Sequence, residues 1–331
     1  DTYLESLKNE IEKFYEGDTV KSIYIGGGTP SVLSINEIEF LFETLKTIKI
    51  SIDAEITFEM NINDITEEKL KLLKKYGVNR LSIGIQSFDK KNQSFLNRIH
   101  NKKEIYEKIS LVRLFGFKNI NLDLMYAIPG ETLSILKKDL KTFMKLSPTH
   151  ISTYSLIIED HTKLQIDDIK PIDENLDSKM YFTIINYLKK KGFKHYEVSN
   201  FAIPGKESIH NLNYWDNDEY YGFGLGSHGF INDVRYKNTR NFQEYIEGEY
   251  RVEELFVSTK EDMENEIMLG LRKIDGINIK KFYEKFKKNI QDEFDLKPLV
   301  KDKLLVLSGE NLKIPEDKIY VMNEILIKII K

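Results

Sequence analysis

The sequence contains no cysteine at any of its 331 positions. This absence excludes disulfides, thiolate metal sites and cysteine nucleophiles within these residues. It also lacks any continuous apolar run near the roughly 20 residues that a membrane span needs. Neither sign of charge is in large excess, since 49 basic residues stand against 53 acidic ones. This balance shows neither the excess of basic residues typical of nucleic-acid binding nor a polybasic membrane anchor, so we expect no nucleic-acid partner.

The first residues carry no recognisable targeting signal. Asp1 to Leu4 show no charged stretch followed by an apolar one, which a signal peptide requires. The sequence does not begin with methionine, so an upstream segment, including a targeting segment, stays open. We therefore expect a cytoplasmic location as the default.

The first two hundred residues alternate between short, β-branched apolar runs and longer amphipathic segments. Each predicted strand–helix unit takes about 25–40 residues, which is typical of parallel strands joined by crossover helices. Near-continuous apolar strands indicate a sheet covered on both faces. The pattern predicts an α/β fold, either a barrel or an open doubly wound sheet. The predicted strands are 21–26, 55–60, 79–86, 119–128, 150–157 and 195–201.

Several helix ends can be read from short signals. Ser34 and Glu37 have the spacing of a capping box, and Asp89 can cap the segment after the third strand. A glycine that follows a helix takes the left-handed conformation most easily. The glycines predicted to close helices are Gly77, Gly116 and Gly192.

Polar residues stand at the ends of successive predicted strands. The run Gly26-Gly27-Gly28-Thr29 follows the first strand, Glu59 and Gln86 end the next two, and Asp123 interrupts the fourth. In barrel enzymes the site residues come from the C-terminal ends of several strands. Each of these residues alone would mark only the end of its strand, but four in succession favour a shared site in a barrel. The glycine turn lacks the lysine of a P-loop and the spacing of a dinucleotide fingerprint.

The chain changes character beyond residue 200. Residues 207–240 are rich in Asn, Gly, Tyr and His and break the strand–helix pattern. Charged helical sequence follows from about residue 252, and two β-like stretches, 304–308 and 311–314, flank a Gly-Glu turn. The final helix is predicted over 320–330. We interpret this end of the chain as a small helical, winged-helix-like domain with a β wing.

Three segments together resemble the oxygen-independent coproporphyrinogen III oxidase-like proteins of the radical SAM superfamily. They occur in family order as YIGGGTPS (24–31), NRLSIGIQSF (79–88) and NINLDLMYAIPG (119–130). The resemblance implies a partial (β/α)6 TIM-like barrel, here without its first strand, that holds S-adenosylmethionine (SAM) against a [4Fe–4S] cluster. It divides the chain into the partial barrel at 1–165, a barrel extension at 166–250 and the C-terminal domain at 251–331.

The same resemblance implies a set of SAM-binding residues. The methionine moiety is expected at Gly27, Gly28 and Thr29. The ribose and neighbouring polar groups are expected at Glu59, Gln86 and Asp123, because a carboxylate accepts hydrogen bonds from paired hydroxyls. Arg98 matches the arginine that pairs with the SAM carboxylate. Without the resemblance, Arg98 would as readily be an exposed surface arginine.

The hexapeptide His210-Asn211-Leu212-Asn213-Tyr214-Trp215 resembles the HNxxYW motif of the HemW branch, the heme chaperones of this family. Segments 196–201 and 222–229 on either side also agree with that branch. A neutral imidazole is a good axial ligand to heme iron, and aromatic side chains suit a porphyrin face. The resemblance therefore implies that heme binds at His210, Tyr214 and Trp215, with His210 as the candidate iron ligand. Taken alone, a loop histidine beside Tyr and Trp is more often structural.

The remaining histidines are interpreted as structural. His100 and His228 lie near the motifs without matching a ligand position. His150, His161 and His195 are predicted to be ordinary strand-end or loop residues.

The sequence departs from the family in its missing cluster ligands. Members carry CxxxCxxC on the first strand, and nothing here replaces three thiolates. We expect that segment upstream of Asp1, because the family places a helix like 3–14 shortly after it. A naturally cysteine-free relative is the alternative. In either case these residues assemble no cluster by themselves.

Three functions remain open. The leading hypothesis is a heme chaperone that binds heme and SAM and delivers heme to a heme-accepting apoprotein, with cluster and SAM supporting transfer or dimerisation. It leaves open a membrane-associated recipient and a homodimer. The alternative is an enzyme of porphyrin biosynthesis, coproporphyrinogen III oxidase, against which the HNLNYW segment argues. A cysteine-free scaffold that keeps SAM or heme binding without redox chemistry is the third.

Overall fold

A curled sheet is the main feature of the first two hundred residues in the computed structural model, which describes residues 2–158 and 163–330. Seven of the described strands form it in the order β1-β2-β3-β4-β5-β7-β6, and β2 to β5 run parallel. The half-barrel shape confirms the predicted α/β partial barrel. The strands are β1 (Val20–Ile25), β2 (Ile50–Asn61), β3 (Arg80–Gln86), β4 (Asn119–Tyr126), β5 (His150–Ser155), β6 (Lys194–Glu197) and β7 (Asn200–Ala202).

The helices between these strands begin and end where the sequence signals predict. Ser34 and Glu37 form the capping box, and the Asp89 side chain accepts hydrogen bonds from two backbone N–H groups of the next helix. Gly77, Gly116 and Gly192 all have φ near +80°. The helices are α1 (Thr2–Phe14), α2 (Ile35–Leu45), α3 (Glu67–Lys75), α4 (Lys90–Phe95), α5 (Lys102–Leu114), α6 (Leu133–Lys145), α7 (Lys163–Ile166) and α8 (Glu174–Lys190).

The sixth predicted strand, 195–201, is wrong as a single element. It is two short antiparallel strands, β6 and β7, joined by a turn at Val198 and Ser199. The turn is held by groups outside it: the Tyr181 hydroxyl donates to the Val198 carbonyl at 2.7 Å, and the Thr153 N–H donates to the Ser199 carbonyl at 2.8 Å. These partners satisfy the turn backbone, so the chain reverses where the apolar pattern alone predicts a continuous strand.

One face of the sheet is apolar and the other is polar. Residues that pair directly across strands lie on the same face. The apolar face is buried and includes Phe58, Leu81, Ile83, Leu122 and Ile151. The polar face carries three rows of paired residues, which are Thr57–Arg80–Asn119, Glu59–Ser82–Asn121–His150 and Asn61–Gly84–Asp123–Ser152.

The rest of the chain contains two smaller sheets, with strand orders β10-β9-β8 and β11-β13-β12. The predicted hairpin is confirmed, since β12 pairs with β13 across the turn at Gly309. The last helix starts at Met322, because a 3-10 turn, Glu316–Val321, precedes it. The elements are α9 (Ile209–Trp215), β8 (His228–Ile231), β9 (Val234–Asn238), α10 (Phe242–Ile246), β10 (Arg251–Phe256), α11 (Thr259–Gly270), β11 (Ile277–Asn278), α12 (Ile279–Phe286), α13 (Ile290–Glu293), α14 (Lys297–Lys301), β12 (Val306–Ser308), β13 (Asn311–Lys313) and α15 (Met322–Ile329).

The chain divides into two compact units. One comprises Ile23–Leu33 and Glu55–Glu207, and it holds every residue predicted to bind SAM. The other comprises the described parts of Asp1–Ser22, Ser34–Ala54 and Ser208–Lys331, and it holds the HNLNYW segment. In the described ranges, no helix has the length and apolar character of a membrane span.

Candidate functional sites

Glu59 lies at the C-terminal end of β2 against the glycine turn that follows β1. Its Oε1 accepts a 2.6 Å hydrogen bond from the Tyr24 hydroxyl, and its Oε2 accepts one of 3.3 Å from the Gly27 N–H. A Cβ at Gly26 would lie 2.6 Å from the Glu59 carboxyl carbon, so only glycine allows this approach. Burial, with the nearby Glu59 charge, raises the pKa of Tyr24, which keeps its hydroxyl a donor.

Gly27 and Gly28 leave space at the turn. A Cβ at either position would meet no heavy atom of the described residues within 4 Å. Their small size is therefore not required by packing of the fold, and it leaves space in which a ligand can approach the backbone. Thr29 has φ 135°, which is rare for a β-branched residue.

Strained backbone recurs at the same end of the sheet. Gln86 at the end of β3 has φ 70°, and Ala127 just after β4 has φ 60°. With Thr29, three strand ends hold non-glycine residues in the left-handed region or beyond it, at a cost of about 1–3 kcal/mol each. Such strain persists where the surrounding structure enforces it, and it often marks functional sites.

The Gln86 amide and the Asp123 carboxylate both lie close to Gly84. A Cβ at Gly84 would lie 3.2 Å from Gln86 Nε2 and 4.0 Å from Asp123 Oδ2. Gln86 Oε1 is buried with no hydrogen-bond partner within the described ranges. Burial raises the pKa of Asp123 to about 6, and the charge of Glu59 adds to this effect. A ligand that carries hydroxyl or amino donors fits this set, because it would complete acceptors that the protein leaves open.

Arg98 reaches the same strand ends from the segment after α4. It is exposed, and its Nη1 donates a 3.2 Å hydrogen bond to Asn61 Oδ1. Asn61 lies two residues after Glu59 on β2, and its N–H donates to Ser31 Oγ at 3.0 Å. The structure therefore brings Arg98 to the strand ends that carry Glu59 and the glycine turn.

A buried hydrogen-bond network behind Asp123 was not predicted. Asn121 Nδ2 donates to Asp123 Oδ1 and to Ser82 Oγ, both at 2.8 Å. Asn121 Oδ1 therefore accepts from His150 Nδ1 at 2.7 Å, and His150 Nε2 must accept from the Tyr196 hydroxyl at 2.7 Å. Burial lowers the pKa of His150 well below its ordinary value, which matches this neutral tautomer. The only available signal was alternation of polar residues along β3 and β4.

The second candidate site lies on α9. The histidine of the HNLNYW segment is in the first turn of this helix and not in a loop, because Ser208 Oγ accepts from the Asn211 N–H and starts the helix there. His210 and Tyr214 are one turn apart, with ring centroids 4.8 Å from each other in an edge-on arrangement. Both side chains are half-buried, and burial raises the pKa of Tyr214 to about 12.

Ser22 lies beside the imidazole of His210. Its Oγ is 3.4 Å from His210 Nδ1. If Nδ1 carries the proton and donates to Ser22, the lone pair of the neutral ring is on Nε2, the form that ligates iron. The residues present are therefore compatible with an axial ligand beside an aromatic side chain.

Trp215 is on another face of α9. It is five residues after His210, which places it about 140° around the helix at 100° per residue. The Arg272 guanidinium carbon lies 5.7 Å from its ring centroid, and its Nε1 is buried without a hydrogen-bond partner in the described ranges. The structure thus brings His210 and Tyr214 together but does not bring Trp215 to that pair, so its heme role stays a prediction.

The other histidines occupy varied environments. His100 is half-buried, and burial, followed by the Arg98 charge, lowers its pKa. His195 is buried and stacks on Phe201 with centroids 4.4 Å apart, while His228 is exposed at the start of β8. His161 lies outside the described residues.

A [4Fe–4S] cluster does not fit the residues present. The sequence has no cysteine, so it provides no thiolate. Across 2–158 and 163–330, no group of three or more His, Asp or Glu side chains is placed to hold a metal ion.

The fold is that of the radical SAM superfamily, whose family model matches residues 2–143. Residues 257–317 match the HemN C-terminal domain. The solved structure of coproporphyrinogen III oxidase (HemN) from Escherichia coli has the same fold, with a TM-score of 0.86 over 99% of this chain and 82% of that one. Its sequence identity is 21%, so this likeness concerns the fold alone.

Two relatives of higher sequence identity identify the family within the radical SAM superfamily. The heme chaperone HemW of Lactococcus lactis is 39% identical, over 92% of this chain and 83% of its own length. The heme chaperone HemW of Bacillus subtilis is 38% identical, over 89% of this chain and 81% of its own length. The chain belongs to the HemW family.

Proposed function

We propose that this protein is a heme chaperone that binds heme at His210 and passes it to a heme-accepting apoprotein. The observation that carries the proposal is the placement of His210 and Tyr214 side by side on α9 in a member of the HemW family. A half-buried imidazole beside an aromatic ring provides both an iron ligand and a porphyrin contact.

The proposal assigns SAM to the strand ends. The Gln86 acceptor without a partner in the described ranges and the open space at the glycine turn support this assignment. Bound SAM, together with a cluster, would support heme transfer or dimerisation. The residues proposed to hold it are Gly27, Gly28, Thr29, Glu59, Gln86, Arg98 and Asp123.

In this proposal, heme is transferred in the cytoplasm to a cytoplasmic or membrane-associated recipient. The oxidase alternative is not favoured by any contact in the structure. The likeness to HemN concerns the fold, whereas the relatives from Lactococcus lactis and Bacillus subtilis carry the name heme chaperone.

Titration of the chain with hemin tests heme binding. We expect a shifted Soret band that saturates at about one hemin per chain, as a single axial site requires. A parallel assay with coproporphyrinogen III and SAM, run on full-length protein with a reconstituted cluster, is expected to give no decarboxylated product. An unshifted Soret band, or product in the second assay, would contradict the proposal.

Asp123→Asn is expected to weaken SAM binding roughly tenfold to a hundredfold, because a hydrogen bond to a charged group contributes about 1.5–3 kcal/mol. Equilibrium dialysis of the chain with labelled SAM measures this change. Asp167→Asn, which removes an exposed carboxylate of the same unit, is the matched control. Equal affinity in Asp123→Asn and wild type would remove Asp123 from the site.

The pH dependence of SAM binding follows from the same residue. The folded-state pKa of Asp123 is raised to about 6, so the carboxylate acceptor is lost as the pH falls through this value. SAM affinity is expected to rise from about pH 5 to about pH 7 and then level off. The stability contribution has the opposite sign: ionising Asp123 destabilises the fold as the pH rises from about 4 to about 6.

A further inference from the structure

Asn217 ends the helix that carries His210. It is buried, and its φ of 51° is in the left-handed region. Its N–H donates to the Tyr214 carbonyl at 3.1 Å, and the Asp218 N–H donates to the Asn213 carbonyl at 3.1 Å. This pair of bonds is a Schellman motif, so Asn217 fixes where α9 stops.

The side chain of Asn217 joins that helix end to α11 and β9. Its Nδ2 donates to Asp262 Oδ1 at 2.6 Å and lies 3.4 Å from Glu266 Oε2. Its Oδ1 accepts from Arg235 Nη2 at 3.1 Å. Both ends of the amide are therefore engaged, and their donor and acceptor roles fix its orientation.

A cation completes this junction. Lys285 on α12 donates to the Asn217 carbonyl at 3.4 Å. The same ammonium lies 3.0 Å from Glu266 and 3.4 Å from Asp262. The two carboxylates that receive the Asn217 amide are thus held in place by a shared positive charge.

The two residues before Asn217 contact the same region of the chain. Asp216 forms an ion pair with Lys273, and Trp215 lies under the Arg272 guanidinium. Asp262, Glu266, Arg272, Lys273 and Lys285 all lie within 257–317, the C-terminal module that matches the HemN C-terminal domain. Three consecutive residues at the end of α9 are therefore attached to this module, while His210 and Tyr214 face elsewhere.

We propose that Asn217 is a positioning residue for the heme site, through which the C-terminal module sets the heme affinity of His210. The inference rests on the proposed function, since it concerns the same histidine. Asn217 holds the end of a two-turn helix, so a shift of that end moves Tyr214 and His210 relative to the rest of their unit. Loss of the side-chain contacts therefore weakens heme binding without touching a heme ligand.

Asn217→Gly tests this role, because glycine keeps the left-handed backbone and removes only the amide. We expect hemin affinity to fall about tenfold, as when a partner of a metal ligand is lost. We also expect a smaller fraction of histidine-ligated iron in the ferric spectrum of bound hemin. Asn97→Gly is the matched control: Asn97 also ends a helix with φ 51° in a Schellman motif, but its side chain is exposed.

Reversing the direction of the hydrogen bond between residues 217 and 262 distinguishes a positioning role of Asn217 from a general loss of fold stability. Asn217→Asp alone places a carboxylate against Asp262 and should weaken hemin binding as the glycine variant does. Combined with Asp262→Asn, donor and acceptor are exchanged, and we expect the hemin affinity and the heme spectrum of the wild-type complex to recover. Melting temperatures of all variants show whether each is folded.

The outcomes distinguish the two proposals. If His210→Ala weakens hemin binding and Asn217→Gly does not, the positioning role is wrong and the heme site stands. If His210→Ala leaves binding unchanged, the heme site itself is wrong. Failure of the exchanged pair to recover the wild-type heme spectrum, with a melting temperature equal to wild type, would also overturn the positioning role.

Discussion

His210→Ala is expected to weaken hemin binding by about a hundredfold or more. Loss of a residue that only supports a metal ligand costs about tenfold to a hundredfold, and loss of the ligand itself should cost at least as much. The half-buried imidazole is beside Tyr214, and Ser22 lies 3.4 Å from its Nδ1. Removing it leaves the porphyrin an aromatic contact and no iron ligand on this face of α9. Hemin titration followed in the Soret region measures the change, and the spectrum of the histidine-ligated ferric heme is expected to disappear.

His228→Ala is the control for this experiment. His228 belongs to the same compact unit, and its side chain is exposed at the start of β8. It should leave hemin affinity unchanged, whereas Tyr214→Phe should cause only a small loss because the ring remains. Equal affinities of His210→Ala and wild type would contradict the assignment of the iron ligand.

Arg80→Met is expected to destabilise the fold by about 3–5 kcal/mol, because it removes a buried cation that lies beside a buried carboxylate. Arg80 and Glu55 are 2% and 5% exposed, and Nε lies 3.9 Å from Oε2. Arg80 also donates to Thr57 at 3.4 Å on the polar face of the sheet. Urea unfolding measures the loss of stability.

Two controls accompany the Arg80 variant. Adding Glu55→Gln removes the buried charge and should restore much of the lost stability. Lys46→Met breaks an exposed ion pair with Glu43 and should cost about 1 kcal/mol or less. A loss for Arg80→Met no larger than for Lys46→Met would show that the buried pair does not stabilise the sheet.

Local signals predicted a large part of the fold because each acts within a few residues. The capping box at Ser34 and the left-handed glycine at Gly77 depend only on near neighbours. Polar strand ends at Glu59, Gln86 and Asp123 were predicted because parallel strands place their carboxyl ends along one edge, and their role in SAM binding stays a prediction. The approach of the Asp123 and Gln86 side chains to Gly84 follows from the pairing register, which the sequence does not specify.

The remaining features depend on contacts between distant residues. His150 looked like an ordinary strand-end histidine, yet it bonds Asn121, 29 positions away, because β4 and β5 pair in one register. The reversal between β6 and β7 depends on a hydroxyl from α8. Asn217 carried no sequence signal, since its partners on α11 and β9 are set by tertiary packing.

Transfer of hemin from the loaded chain to a heme-free acceptor is the most direct test of heme delivery to a partner protein. Apomyoglobin is a suitable probe, because its heme spectrum differs from that of the donor. For a heme chaperone we expect hemin to bind at about one per wild-type chain and then to move completely to the acceptor. Hemin that stays on the chain, or that never binds to it, would contradict a chaperone function.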